Sequence, residues 1–177
     1  MEYPWYEVVE GDKISQGDII ENCPVVIVPP TGDIDTGDEP EVTIQTIDVI
    51  VMTQACDLEQ GNVTDVILCG ISNANEVKTK GGKTPDAGFF KGVKDGKNVS
   101  LHLLNEYDNE ILSCDHRVVD LRQLYSLPLD TLKVIAKKRG NRLRLLPPYR
   151  EHLSQAFARV FMRVGLPSDI DVTKMKL

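Results

Sequence analysis

This sequence lacks several motifs and segments that would assign a protein directly to a function class. No apolar run approaches the ~20 residues that span a bilayer, and the four cysteines show no CxxC spacing. A P-loop, a dinucleotide-binding fingerprint and an HExxH helix are also absent. These absences argue against a membrane protein, a zinc ribbon and a nucleotide-dependent enzyme. We therefore expect no cofactor, no bound metal and no membrane partner.

The first residues, Met1 to Trp5, have neither the basic stretch nor the apolar stretch of a secretion signal. In such a chain, widely spaced cysteines are expected to be reduced thiols, which predicts a cytoplasmic protein. The 177 residues, 41% hydrophobic and 27% charged, suit one globular domain over residues 1–177.

The net charge of −7 conceals a strong polarity along the chain. Residues 1–60 hold fourteen acidic side chains and one basic side chain, whereas residues 131–163 hold nine basic and one acidic. One interpretation is that the two ends meet in the fold and neutralise each other. The other is that the basic end faces an acidic or phosphate-bearing partner.

Residues 1–125 predict a strand-rich body, because short β-prone segments alternate with turn residues. The segment Asp48 to Met52 is apolar without alternation, which is typical of a strand buried on both faces. Residues 72–98 are polar and glycine-rich and predict a surface excursion with a hairpin at Asp95-Gly96. Many short strands without long intervening helices favour a closed barrel or a small sandwich, a mainly β fold.

Residues 126–167 predict a helix–strand–helix extension, and residues 168–177 a tail. The first helix is expected to begin at Ser126 as N-cap and to end at Gly140. The second is amphipathic and follows Pro147-Pro148. Its apolar stripe, which should pack on the strand body, comprises Leu153, Ala156, Phe157, Val160, Phe161 and Val164.

A cysteine and its acidic neighbour, Cys56-Asp57, follow the buried strand directly. A cysteine nucleophile would need a nearby imidazole, for which His116 and His102 are the candidates. A zinc site built from Cys56, Cys69, Cys114 and His116 is a further alternative. The non-catalytic alternative is that Cys56 is a buried structural thiol.

The basic C-terminal third is the candidate binding surface. Arginines bind phosphate and carboxylate groups through paired hydrogen bonds. The residues expected to form this surface are Arg142, Arg144, His152, Arg159 and Arg163, with Tyr125 and Tyr149 as the aromatic neighbours.

The order of elements resembles the PemK/MazF-type toxin family. The similarity rests on Gly17-Asp18-Ile19-Ile20, on Asp48 to Met52 and on Asp65 to Cys69. It implies a small SH3-like barrel and, in active members, an endoribonuclease. The stretches DVIVMTQACDLEQG and LPPYREHLSQAFARVFMRVGLP are also similar to uncharacterised bacterial proteins.

This chain departs from the toxin pattern in one important place. The family carries a basic residue in the loop before the second long strand, and a Thr or Ser after the third. Ser72 can stand for the hydroxyl, but the loop here is acidic, with Asp33, Asp35, Asp38, Glu39 and Glu41. An acidic loop cannot stabilise the charge of a phosphorane.

We therefore expect a non-catalytic interaction module that binds a protein or nucleic-acid partner through its basic face. A toxin-like endoribonuclease, a Cys56-centred enzyme and a metal-binding protein are retained as alternatives, and so is a homodimer.

Overall fold

The computed structural model describes residues 3–27, 42–78, 82 and 84–162. Its elements, in chain order, are β1 (Tyr6–Val9), β2 (Ile19–Ile27), β3 (Thr43–Val51), α1 (Ala55–Gln60), β4 (Asp65–Asn73), α2 (Ala87–Lys94), β5 (Leu101–Leu104), β6 (Tyr107–Asp108), β7 (Ser113–Cys114), β8 (Arg117–Pro128), α3 (Leu129–Arg139), β9 (Arg142–Leu145) and α4 (Tyr149–Phe161).

The predicted mainly β fold with a C-terminal helix is confirmed. The largest sheet is antiparallel and has five strands in the order β2-β3-β4-β8-β5, while β1 pairs with β9 and β6 with β7. Gly17, at a φ of 85°, connects the first two sheets because it bonds to both. Its N–H donates to the Val51 carbonyl and its own carbonyl accepts from the Leu145 N–H, each at 2.9 Å. A side chain there would stand 3.0 Å from the Leu145 carbonyl oxygen.

The strands of the first two sheets share one of two apolar cores, and the predicted closed barrel is not found among the described residues. Residues from β1, β2, β3, β4, β5, β8 and β9 share that core, and the Tyr6 hydroxyl donates to the Asn105 carbonyl at 2.8 Å. Between β1 and β5 the described residues show this side-chain bond rather than a ladder. No hydrogen-bonded ring is therefore closed in the described part of the chain.

The last three residues of β3, Val49 to Val51, are buried on both faces, as the uninterrupted apolar run predicts, whereas the first part of the strand is exposed. Ile50, and Met52 just after the strand, belong to the core that the first two sheets share. Val49 and Val51 point to the other face, where Leu58 of α1 and Leu132 of α3 cover them. Because successive side chains of a strand point to opposite faces, the same run of apolar residues contributes to two separate cores.

The helix–strand–helix order after the body is correct, but the first helix begins later than predicted. Ser126 lies inside β8 opposite Ile67, and α3 begins at Leu129 without a side-chain cap. The long pairing of β8 with β4 extends the strand and outweighs the local capping signal. The end at Gly140 is confirmed, with φ at 82°.

One short helix replaces part of the expected irregular segment 72–98. Residues 87–94 form α2, with the Asp86 carboxylate accepting from the Phe89 N–H at 2.8 Å, so the hairpin at Asp95-Gly96 is wrong. A helix this short has too few residues to show an apolar period, so only its N-cap residue could have indicated it in the sequence. Among the described residues no helix is both long and apolar enough to cross a bilayer.

Candidate functional site

The candidate cysteine nucleophile and His116, one of its candidate bases, are anchored at opposite ends of β4. Thr53, just before Cys56, accepts a bond from the Ile67 N–H, whereas the His116 carbonyl accepts from the Ala74 N–H. From Ile67 to Ala74 an extended strand covers roughly 20 Å. The structure therefore does not bring Cys56 and His116 together.

The neighbours of Cys56 and Ser72 add no catalytic partner among the described residues. Cys56 is exposed, and its thiol lies 3.9 Å from Oδ1 of Asp57, an acid rather than an imidazole. Ser72 is exposed on β4 opposite Val118. The catalytic roles of Cys56, Asp57, Ser72 and His116 stay predictions without a supporting geometry.

The zinc alternative has no site in the described ranges. No three His, Cys, Asp or Glu side chains are grouped there as a metal ion would require. Cys69 is fully buried in the core, where burial raises the pKa of its thiol to about 12.

Two of the predicted binding arginines belong to an internal ion-pair cluster. Asp18 is 0% exposed and accepts from Nε of Arg142 at 2.9 Å and from Nη2 of Arg144 at 3.0 Å. The other Arg142 nitrogens donate to the carbonyls of Gly11 (2.9 Å) and Lys13 (2.7 Å). The two arginines thus hold the segment before β2 against β9.

This pairing corrects the predicted binding surface. Arg142 is buried and its donors are used within the fold, and Arg144 is largely covered by the same carboxylate. Both arginines therefore neutralise Asp18, an acidic residue of the N-terminal third, as the first interpretation of the charge polarity predicts. Arg163 and the acidic loop at 31–41 lie outside the described residues. Arg159 and His152 remain as candidates from the original set.

Arg159 and His152 line a groove that also contains the other two histidines of the chain. A cavity of about 380 Å³ is lined by His102, His116 and His152, and a neighbouring one of about 300 Å³ shares His102 and His152. We name the two together the histidine groove. Its other polar and aromatic walls are Trp5, Lys94, Asn98, Asn105, Tyr149, Gln155 and Arg159.

Four elements place these side chains. β5 carries His102, opposite Val119 of β8, and α4 carries His152 and Arg159. Lys94 ends α2, which packs on β5. His116 directly precedes β8. The groove therefore lies between the C-terminal helix and the outer edge of the large sheet.

An aromatic stack forms one end of the groove. The rings of Trp5 and Tyr149 are parallel within 9°, with centroids 3.7 Å apart, and His152 stands edge-on to Tyr149 at 6.3 Å. The Trp5 carbonyl accepts from the Leu146 N–H at 2.8 Å, which ties this end to the start of α4. A flat aromatic surface is thus held rigidly beside the histidines.

The described lining of the groove carries positive charge. Its described lining includes Lys94 and Arg159 and no Asp or Glu. Burial, and secondarily His152, lowers the pKa of His102 to about 4, so this imidazole is neutral at neutral pH. His116 lies at the rim, with Nδ1 3.7 Å from Oε2 of Glu106. Neutral His102 can accept or donate one hydrogen bond while the two cations supply charge.

Sequence reasoning identified His152, Arg159 and Tyr149 but missed Trp5 and Lys94. Trp5 lies at the start of the chain, far from the basic C-terminal third, and Lys94 lies in the polar segment 72–98, so neither carries a binding signal in the sequence. The three histidines lie in separate segments, and only the packing of α4 on β8, the strand beside β5, brings them to one groove. Nothing in their spacing along the chain signals this.

A comparison with protein-family models and with curated protein sequences finds no match to this chain. The resemblance to PemK/MazF-type toxins stays a prediction from the sequence.

Proposed function

We propose that the protein is a non-catalytic interaction module that binds single-stranded nucleic acid across the histidine groove. The observation that carries this proposal is the composition of the groove: two cations, three imidazoles and an aromatic stack share one surface that is free of acidic lining in the described residues. Single strands are bound by cations that follow the phosphates and by aromatic faces on which bases stack.

The division of roles follows from position. Lys94 and Arg159 contact phosphates, and the exposed face of the Trp5–Tyr149 pair takes a base. His102, neutral and partly buried, offers a hydrogen bond rather than a charge. The predicted cytoplasmic location remains part of this proposal.

The single tryptophan of the chain makes the proposal directly measurable. Trp5 lines the groove, so its fluorescence should change on titration with homopolymeric single-stranded RNA or DNA. Affinity should fall with salt, because phosphate binding releases counterions. The double variant Lys94→Gln/Arg159→Gln should bind about tenfold more weakly and lose about 1.4 from the salt slope, about 0.7 for each contact.

The matched control is Lys137→Gln/Lys138→Gln, which removes the same charge from exposed positions on α3 outside the groove. It should bind like the wild type. If the wild type does not bind, or binds independently of salt, the nucleic-acid proposal fails and an acidic protein partner takes its place. Equal weakening in both double variants would mean that net charge, and not the groove, determines binding.

The alternative, an endoribonuclease, is favoured by one observation. His102 and His152 share the groove with two cations, and paired imidazoles can act as acid and base on a phosphodiester. Denaturing gels of the incubated RNA distinguish the functions. Cleavage that is lost on His152→Gln would replace the proposed binding module with a nuclease, and cleavage lost on Ser72→Ala would instead support the toxin-like form.

A further inference from the structure

The two cavities that make up the histidine groove meet at a shared wall. The cavity of about 380 Å³ and the cavity of about 300 Å³ are both lined by Lys94, His102 and His152, and the buried Val93 is the fourth residue that they share. We call these four residues the junction. Because one cation and two imidazoles line both cavities, a ligand that fills the whole groove passes the junction at its middle.

The two cavities differ in chemistry beyond the junction. The larger one, the aromatic cavity, contains the stacked rings of Trp5 and Tyr149. The smaller one, the amide cavity, has no Trp, Tyr or Phe in its described lining and is lined instead by Asn98 and Gln155. Oδ1 of Asn98 already accepts from the N–H and the hydroxyl of Ser100, at 3.3 and 2.8 Å, so Asn98 offers a ligand its amide N–H groups. One cavity therefore suits the face of a flat ring, and the other suits a hydrogen-bonding edge.

The positive charges of the groove are also divided between its two parts. Lys94 belongs to the junction, whereas Arg159 lines the amide cavity only. Among the described residues neither cation is held in a salt bridge. On α4, Arg159 lies about two turns beyond His152, a rise of roughly 10 Å. A phosphate at the junction therefore leaves Arg159 for a second phosphate further along the strand.

We propose that the histidine groove is a site for two adjacent nucleotides of a single strand, with one base in each cavity and the phosphate that links them at the junction. The first base stacks on the aromatic pair, and the second bonds to the amide side chains. The linking phosphate pairs with Lys94 and accepts hydrogen bonds from His102 and His152. Arg159 binds the phosphate on the far side of the second nucleoside.

The two-nucleotide site rests on the proposed function of the groove, and adds to it the number of nucleotides bound and the position of each phosphate. The cavities measure about 380 and about 300 Å³. Pockets for small ligands begin at roughly 300 Å³, so each cavity suits one nucleoside rather than a longer segment. The order of base, phosphate and base along a strand matches the order of ring surface, junction and amides along the groove.

The first test is the length dependence of binding, measured by the fluorescence of Trp5 in the full chain with thymidine oligonucleotides. TpT that carries a terminal phosphate should bind at least about tenfold more tightly than thymidine monophosphate, because a second base and a second phosphate contact the protein. Extension to four nucleotides should change the Kd only through the larger number of binding registers. The terminal phosphate should tighten binding at one end of TpT only, and that end gives the direction of the strand.

The second test assigns each phosphate to its cation by combining a change in the ligand with a change in the protein. An uncharged methylphosphonate in place of the linking phosphate should weaken binding by about tenfold in the wild type and little in Lys94→Gln. Removal of the terminal phosphate should weaken binding to the wild type and have little effect in Arg159→Gln. The crossed combinations should be additive, because each cation contacts one phosphate. Gln155→Ala should weaken TpT binding, whereas Gln45→Ala, at an exposed position on β3 outside the groove, should not.

Failure of the site and failure of the proposed function give different results. If neither these oligonucleotides nor long homopolymers bind, the proposed function fails and the two-nucleotide site fails with it. If long homopolymers bind but the Kd falls steadily beyond two nucleotides, the groove binds nucleic acid without a two-nucleotide site. A terminal phosphate that has no effect at either end would remove the role of Arg159. Equal losses for both phosphates in both cation variants would show that the cations act as a diffuse charge, and the assignment of the phosphates would be wrong.

Discussion

At the scale of single residues, the cluster around Asp18 shows how a charge pattern can mislead. Arg142 and Arg144 alternate with leucines on a strand, which predicts cations on an open face. Their guanidinium groups instead surround one fully buried carboxylate and two backbone carbonyls. The sequence shows that acidic and basic segments exist, but not which carboxylate becomes buried. That depends on the pairing of β9 with β1 and Gly17, which is a long-range contact.

Removal of the Asp18 charge should therefore be severe. Asp18→Asn leaves two largely buried guanidinium groups without their counter-charge, and breaking a buried pair in this way costs about 3–5 kcal/mol. Urea unfolding measures the loss. Asp12→Asn is the control, because Asp12 is an exposed acid in the same segment and its substitution should change stability by less than about 0.5 kcal/mol. Equal stability of the two variants would contradict a structural role for the cluster.

At the scale of elements, periodicity predicted α4 well and its burial less well. The helix follows Pro148 as expected, but its apolar stripe is not uniformly covered. Leu153 is 1% exposed, Phe157 packs on the core at intermediate burial, and Phe161 is 59% exposed. An apolar stripe predicts which side of a helix faces the body, but not how many turns of the helix the body covers. The helix packs on the core from Tyr149 to Val160, and only its last residues, from Phe161, extend beyond the body.

The docking of α4 should therefore depend on Leu153 more than on either phenylalanine. Leu153→Ala removes a fully buried side chain and should cost about 2–5 kcal/mol. Phe161→Ala should cost less than about 0.5 kcal/mol, and Phe157→Ala should fall between the two, below the cost of a fully buried phenylalanine. Unfolding free energies from denaturant titrations give the order. A large loss in Phe161→Ala would mean that the end of α4 is covered by another part of the chain or by a second copy.

At the scale of the whole molecule, the class of fold could be predicted and the site could not. The uninterrupted apolar run in β3 and the turn residues between short strands indicate a mainly β body, because burial on both faces leaves that signature locally. The histidine groove leaves none. It is assembled from segments more than 90 residues apart, such as those of Trp5 and His102, and only tertiary packing brings such residues together.

Because this packing buries His102, the free energy of unfolding of the whole protein should depend on pH. His102 has a pKa of about 4 in the folded protein, against an ordinary value of 6.5. As the pH falls below about 6.5, the unfolded chain binds a proton that the folded protein does not accept until about pH 4. The contribution of neutral His102 is therefore complete above pH 6.5 and is lost progressively between the two values, by about 2 kcal/mol between pH 7.5 and pH 5.

Urea unfolding of the wild type, His102→Gln and His116→Gln at these two pH values tests this. His116→Gln is the matched control, because His116 is exposed at the rim and its loss should leave the pH-dependent decrease in place. His102→Gln should reduce that decrease by about 2 kcal/mol, since carboxylates titrate alike in all three proteins. Parallel behaviour of His102→Gln and the wild type would contradict burial of a neutral imidazole, and with it the packing of α2 on β5 and of α4 on β8 that forms the groove.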